Sequence, residues 1–194
     1  MKRSLIVVAL LAGFFFFGCS KDNSIVDPVS QNVNSKISWL KLPAAQGVTT
    51  EAQLTANFDV NGVTGGYNTF SSQFPGSSVA VSATYSFPEN CFPGQMIITA
   101  VFDEATAAAD YYPSPFTFDN PITANITYSG LDLTNVDVSL ISFVYLPPNS
   151  AVAEPIEYDQ LIVDQATGVI QVVNAKIHHF SRYGFIDEPL PPTE

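Results

Sequence analysis

Apolar and polar residues alternate through most of the chain between Lys36 and Ile186. In the segment Ser78–Phe87 every second residue is apolar, so one face of a strand carries Val79, Val81, Ala83, Tyr85 and Phe87. Met96–Phe102 is instead a continuous apolar run, typical of a strand that is buried on both sides. Turn-forming pairs such as Asn61-Gly62 and Pro93-Gly94 separate these runs. The pattern predicts an antiparallel sandwich or barrel.

The predicted fold is an all-β, antiparallel β-sandwich of immunoglobulin-like or related topology, with about nine short strands over residues 37–186. Only Glu104–Asp110 has a composition that predicts a helical turn. The segments predicted to be extended are Ile37–Leu42, Gln53–Val60, Ser78–Phe87, Met96–Phe102, Phe116–Phe118, Ile122–Tyr128, Val138–Leu146, Tyr158–Val163, Val169–Ile177 and Phe180–Ile186.

A different pattern begins the chain. Lys2 and Arg3 precede the unbroken apolar run Leu5–Phe17, which ends at Gly18-Cys19 and is followed by polar residues. This order predicts a secretory signal peptide. The run is well short of the roughly 20 residues that a membrane-spanning helix needs.

The cysteine directly after the apolar run resembles the lipobox of bacterial lipoproteins. The resemblance implies that residues 1–19 are a lipoprotein signal peptide, that Cys19 is the lipid attachment site, and that the lipid anchors the chain to the membrane. Phe16 and Phe17 depart from the family, which has Leu and a small residue in those places. Simple secretion with cleavage after Ser20, or an uncleaved anchor, are the alternatives.

The residue after the lipidated cysteine bears on location. Ser20 follows Cys19 where inner-membrane lipoproteins usually carry Asp, so the resemblance implies an outer-membrane lipoprotein of the bacterial cell envelope. Lys21-Asp22 resembles the charged export signals of surface lipoproteins. Periplasmic and surface-exposed locations both remain open.

Charge and cysteine content restrict the partners. The chain has a net charge of −11, and removal of Lys2 and Arg3 with the signal peptide makes it −13, so no nucleic acid partner is expected. Cys91 is then the one cysteine besides Cys19, which predicts no disulfide and favours a packed thiol. Residues 20–36 are predicted to be a flexible tether and residues 187–194 a disordered Pro-rich tail.

Several motifs in Ser78–Ile186 resemble the β-sandwich domain of the zona-occludens and netrin-receptor type. They are Tyr85-Ser86-Phe87-Pro88, Phe92-Pro93-Gly94-Gln95, Pro113-Ser114-Pro115-Phe116-Thr117-Phe118, Ala166-Thr167-Gly168 and His179-Phe180-Ser181-Arg182-Tyr183. Residues 37–77 lack the family's glycine-rich first strand pair. The resemblance implies a contact module without catalytic activity, whose closing strand contains the last of these motifs.

Relatives in animal signalling proteins cut themselves between Phe and Ser of a His-Phe-Ser motif, here His179, Phe180 and Ser181. The serine hydroxyl would attack the preceding carbonyl, the histidine would act as base, and water would open the resulting ester. The alternative is that Phe180 and Tyr183 pack in the core and Ser181 simply continues a strand.

Ligand contact is the other hypothesis for individual residues. Tyr111 and Tyr112 fall in a predicted loop and Trp39 near the start of the body, where aromatic rings could stack on a sugar or anchor a protein partner. Calcium is a candidate cofactor through acidic turn residues, although none matches a calcium-loop spacing. The candidates are Asp119, Asn120, Asp132, Asp137, Asp159 and Asp164.

Enzyme chemistry has little support in the sequence. His178 and His179 are adjacent and are expected to point to opposite faces of a strand, so no zinc site is predicted. Neither a Gly-x-Ser-x-Gly elbow nor a His-Glu-x-x-His motif occurs. The sequence therefore favours a lipid-anchored interaction or structural module, for which a protein or glycan partner is expected. The alternatives are a dedicated glycan-binding module that uses the loop aromatics, and a self-processing domain.

Overall fold

The computed structural model describes residues 37–44 and 53–190. Within them, the 3-10 turn Val138–Leu140 is the only helical element, and no helix is long and apolar enough to cross a membrane. The strands are β1 Leu54–Asn61, β2 Gly66–Gln73, β3 Ala80–Phe87, β4 Gln95–Phe102, β5 Ala108–Tyr112, β6 Phe116–Ser129, β7 Ser142–Leu146, β8 Glu154–Pro155, β9 Gln160–Asp164, β10 Val169–Phe180 and β11 Arg182–Ile186.

These strands form two antiparallel sheets packed as a sandwich. The six-stranded sheet has the order β1-β4-β5-β11-β7-β8, and the five-stranded sheet has the order β2-β3-β6-β10-β9. Consecutive strands β1 and β2 are edges of different sheets, and so are β8 and β9, so the chain crosses between the layers on both sides. The all-β sandwich is confirmed, with eleven strands rather than about nine.

The core lies between the sheets and follows the predicted alternation. Val79, Val81, Ala83, Tyr85 and Phe87 are all buried, as expected for one face of β3. Aromatic rings meet across the two layers: Phe58 of β1 lies 5.2 Å from Tyr85, and Phe70 of β2 stacks on Phe102 of β4. Burial of this apolar surface is the main term that stabilises the sandwich.

The chain differs from the prediction in several places, and the first three residues of the predicted strand Val138–Leu146 form the 3-10 turn. Glu104–Asp110, the predicted helical turn, is partly a loop and partly β5, because Ala108–Asp110 pairs with β11. Strand β2 was not predicted, since GYNTFSSQ has only two large apolar residues. The two predicted strands Phe116–Phe118 and Ile122–Tyr128 form a single strand, β6, which continues through Pro121.

Ile37–Leu42, predicted to be the first strand, makes two isolated bridges instead: Trp39 with Ile186, and Lys41 with Thr106. We call this segment the strap. Its backbone inserts between β11 and the 105–107 loop, since the Leu40 N–H donates to the Phe185 carbonyl and the Leu40 carbonyl accepts from the Ala107 N–H. Leu40 faces the core, whereas Trp39 lies on the outer face of the six-stranded sheet.

The end of the body is ordered where a disordered tail was predicted from residue 187. The Ser38 hydroxyl donates to the Asp187 carboxylate at 2.7 Å, and the Ser38 N–H donates to Glu188 at the same distance. Leu190 packs against the apolar cluster around Trp39. Residues 187–190 therefore hold the strap, and residues 191–194 lie outside the described part.

Candidate ligand cleft and predicted site residues

The His179-Phe180-Ser181 motif lies where β10 ends and β11 begins. The Phe180 side chain is buried, with its ring centroid 4.8 Å from that of Phe118 and 5.8 Å from that of Tyr111. The Phe180 carbonyl accepts a hydrogen bond from the Ser114 hydroxyl at 3.0 Å, and the Ser181 carbonyl accepts one from the Tyr111 N–H. Phe180 therefore has the packing role that the sequence offered as the alternative to cleavage.

The two histidines do not point to opposite faces, as the sequence led us to expect. A register shift between Ile177 and His179 interrupts the pairing of β10 with β6, so both His178 and His179 are exposed and their ring centroids lie 6.2 Å apart. A bulge inserts one residue and so breaks the strict alternation of a strand. Nδ1 of His179 lies 3.1 Å from the Thr117 hydroxyl.

Two of the three aromatic residues proposed for ligand contact are covered. Tyr111 is only 1% exposed and lies in β5, where its hydroxyl pairs with that of Tyr85 at 2.8 Å. Trp39 is 9% exposed beneath the Arg182 guanidinium, 5.2 Å from the ring centroid. Neither ring is available for stacking on a ligand, so this part of the prediction is wrong. Tyr112 is half-buried.

Arg182 is the centre of a charged cluster that sequence reasoning missed. Its guanidinium donates to Asp110 at 2.8 Å and also to Asp103 and Thr106. Burial raises the pKa of Asp103, but hydrogen bonds from Arg182 and the Ala105 N–H outweigh it and leave the pKa below its usual value. At Asp110 burial prevails over the attraction of Arg182, so its pKa is raised. The cluster stabilises the strap through Trp39.

The acidic residues considered for calcium serve the turns. Asp132, Asp137 and Asp164 each accept a backbone N–H two residues along the chain, and bonds from Thr134, Ser139 and Thr167 lower their pKa values. Asp159 accepts from the Asn174 amide. Asn120 donates to the Asn90 carbonyl. Among the described residues, no group of three or more His, Cys, Asp or Glu side chains could hold a metal ion.

Of the two cysteines in the sequence, the structure describes Cys91. Cys91 is fully buried, its Sγ lies 3.6 Å from the Gly62 carbonyl, and burial raises the pKa of its thiol. A buried thiol with a raised pKa is a packing residue rather than a nucleophile. Cys19, the predicted lipid attachment site, lies outside the described residues.

The strongest candidate site is a cleft at the side of the sandwich where the chain crosses from β8 to β9. It has a volume of about 420 Å³. We call it the edge cleft and define it by Tyr145, Glu154, Glu157, Lys176, His178 and His179. Its lining residues come from β7 and β8 of the six-stranded sheet, from β10 of the five-stranded sheet and from the crossing after β8.

Tyr145 is the central aromatic ring of the edge cleft. Its centroid lies 5.0 Å from that of Tyr183 and 5.9 Å from that of His179. The Tyr183 hydroxyl donates to the His179 carbonyl at 2.7 Å, which joins β11 to the end of β10 at the wall of the cleft. Partial burial and the nearby Glu154 carboxylate raise the pKa of Tyr145, so its hydroxyl stays protonated at neutral pH.

Sequence reasoning missed the edge cleft because its residues come from four separate elements. Tyr145 follows the ordinary alternation of a strand, and Glu154 and Glu157 read as polar loop residues. The two adjacent histidines are evident in the sequence, but the exposure of both depends on the bulge in β10. In comparisons with known proteins, no family model, curated protein or solved structure matches this chain.

Proposed function

We propose that this protein is a lipid-anchored β-sandwich of a bacterial cell envelope and acts as a noncatalytic interaction or structural module. The anchor rests on the sequence of residues 1–19, with Cys19 as the lipidated residue. The observation that carries the second part concerns polar groups: every buried side-chain nitrogen and oxygen in the described residues has a hydrogen-bond partner. The polar groups of the interior are thus engaged in structure, and those available to a partner lie at the surface.

The self-processing alternative keeps one observation in its favour. The Ser114 hydroxyl donates to the carbonyl of Phe180, which is the carbonyl that Ser181 would attack, and such a donor would stabilise the oxyanion. Against it stands the Phe180 ring, which is held among Phe116, Phe118 and Tyr111. Packing on three sides restrains the peptide movement that the attack requires, so the interaction module is the better proposal.

Metabolic labelling with a palmitate analogue tests the anchor. We expect label in the wild-type protein and none in Cys19→Ser, because the thioether cannot form without the thiol. Cys91→Ala is the matched control, since it removes the other cysteine of the chain and should keep the label. Equal labelling of Cys19→Ser and wild type would contradict the proposal.

Protease shaving of whole cells, followed by intact-mass measurement, tests location and self-processing together. We expect the chain purified from unshaved cells to begin at Cys19, and we expect it to be uncleaved at Phe180-Ser181 because the Phe180 side chain is packed in the core. Loss of the 14 residues from Ser181 onward, abolished in Ser181→Ala, would instead establish self-processing. Release of the body from intact cells would place it on the outer surface, and protection would place it in the periplasm.

A further inference from the structure

We propose that the edge cleft binds a neutral oligosaccharide, with one sugar ring stacked on Tyr145 and the sugar hydroxyls bonded to the charged groups around it. This inference rests on the proposed function, because it names the class of ligand that the interaction module would take. It also relocates the glycan contact that the sequence assigned to Tyr111 and Trp39, both of which are covered.

Tyr145 provides the edge cleft with an aromatic ring that its neighbours hold in place. Tyr183 supports it from the core side, and the hydrogen bond from the Tyr183 hydroxyl to the His179 carbonyl fixes that support. Tyr145 itself is only half-buried, so part of the ring remains open to the cleft. A ring that is already held in place loses little conformational entropy when a ligand stacks on it.

The edge cleft contains charged groups of both signs that form no ion pair with other described residues. Lys176, Glu154 and Glu157 line it together, yet the ion pairs among the described residues are the two that Arg182 makes. Glu154 and Glu157 are exposed and Lys176 is half-buried. An ammonium group and two carboxylates therefore share one cleft and keep their hydrogen-bonding capacity for a third component.

One ammonium group beside two carboxylates favours a neutral ligand that is rich in hydroxyl groups. A hydroxyl can both donate to a carboxylate and accept from an ammonium group. An anion would be repelled by Glu154 and Glu157, which outnumber Lys176, and a cation would leave the Lys176 ammonium group without a hydrogen-bond acceptor. An apolar ligand would desolvate all three charges without replacing their hydrogen bonds, which is costly. His178 and His179 are not completed to a metal site by a third ligand in the described residues.

A second cleft next to the edge cleft bears on the length of the ligand. A second cleft of about 420 Å³ shares Pro155, Ile156, Glu157 and Lys176 with the edge cleft and continues to Tyr158. Each volume alone falls within the range of small-ligand sites, roughly 300–1,000 Å³. Two neighbouring clefts that share these four lining residues offer room for more than one sugar ring.

Isothermal titration calorimetry on the mature lipidated protein in detergent micelles tests the inference. The probes are cellohexaose, maltohexaose, xylohexaose and mannohexaose, with a sulfated oligosaccharide of similar length as the charged comparison. We expect at least one neutral probe to bind more tightly than the sulfated one. Tyr145→Ala should weaken that binding about tenfold, the loss expected for one stacked ring.

Variants separate stacking from general damage. Tyr145→Phe keeps the ring and should retain binding, while Glu154→Gln and Lys176→Gln should each weaken it several-fold, because a neutral amide forms weaker hydrogen bonds than a charged group. Tyr67→Ala removes a ring that is 78% exposed on β2, away from the cleft, and should change nothing. Unchanged binding in Tyr145→Ala and Glu154→Gln, or preference for the sulfated probe, would overturn the inference.

Failure of all probes at millimolar concentration would also overturn it. The proposed function would still stand in that case if Cys19-dependent labelling and the shaving result hold, so the two failures can be told apart. Cross-linking from the edge cleft to a protein partner, with no sugar bound, would likewise replace the glycan with a protein ligand.

Discussion

Three buried tyrosines show how single residues combine packing with polar contacts in this core. The hydroxyls of Tyr85 and Tyr111 bond to each other, and the Tyr128 hydroxyl donates to the Ala108 carbonyl. Burial raises the pKa of all three above the usual tyrosine value, so their hydroxyls are protonated at neutral pH. Each ring thus fills the space between the sheets without leaving a polar atom unpaired, which would be costly.

Two glycines in the left-handed region offer a matched test at the residue scale. A Cβ on Gly168 (φ +65°) would lie 2.1 Å from the Leu131 carbonyl oxygen, whereas one on Gly94 (φ +80°) would meet nothing within 4 Å. Gly94→Ala should cost about 1–2 kcal/mol from backbone strain alone. Gly168→Ala should cost about 3 kcal/mol or more, because the Leu131 segment must also move.

Urea unfolding of the two variants measures this difference. The Leu131 N–H also donates to the Gly168 carbonyl at 3.0 Å, so movement there disturbs the contact between the 130–131 turn and the β9–β10 hairpin. Equal destabilisation by the two substitutions would show that the close approach to Leu131 has no energetic weight.

Sequence reasoning at this scale succeeded for residues in clear alternation and failed near strand ends. Phe180 was correctly offered as a core residue. The sequence predicts a loop at Tyr111-Tyr112-Pro113, but pairing of β5 with β4 and β11 carries the strand through Tyr112. Exposure of one ring depends on such long-range pairing, which local pattern does not contain.

The strap is the element whose role differs most from its appearance in sequence. The six residues Ile37–Leu42, four of them apolar, predict an ordinary strand, yet the strap makes one bridge to each of two neighbours. Its position depends on where β5 and β11 separate, beyond the pairing of Gly184 with Ala108. The sequence of the strap alone cannot reveal that separation, so it predicts an extended segment but neither the isolated bridges nor their partners.

Adjacent strap residues give a sharp test at the scale of the element. Leu40 is 1% exposed and belongs to the main core, while Lys41 is exposed. Leu40→Ala should lower the free energy of unfolding by roughly 2–4 kcal/mol, through lost burial and the cavity left behind. Lys41→Ala should lower it by less than about 0.5 kcal/mol.

Thermal and urea unfolding of both variants decide the outcome. If Leu40→Ala unfolds like wild type, the strap contributes no stability to the sandwich. If Lys41→Ala is as damaging as Leu40→Ala, the effect comes from strap backbone contacts rather than from the Leu40 side chain.

At the scale of the whole molecule, acid should destabilise the fold. The pKa values of Asp103, Asp132, Asp137 and Asp164 are lowered in the folded state, so their stabilising effect is present above their unfolded values and is lost as pH falls through the folded ones. Asp110 works in the opposite direction: its raised pKa gives stability at low pH that is lost as pH rises through the folded value. Four carboxyl groups with lowered pKa values thus oppose one with a raised pKa value, and we expect a net loss of stability in acid.

Urea titrations between pH 7 and pH 3 should therefore show the free energy of unfolding falling below about pH 4. Replacing the three turn aspartates, Asp132, Asp137 and Asp164, with Asn should flatten this dependence, because the amide keeps the turn but does not titrate. A wild-type stability that is constant or rises toward pH 3 would contradict the assignment.

The hydrogen bonds from Ser38 to Asp187 and Glu188 have a consequence for engineering. They bring the first and last described parts of the body together, so the sandwich starts and finishes at one point on its surface. Domains with adjacent termini tolerate insertion into a loop of another protein. Residues 37–190 are therefore a suitable cassette: a host could receive them between two neighbouring loop positions and display the edge cleft without any change to its own fold.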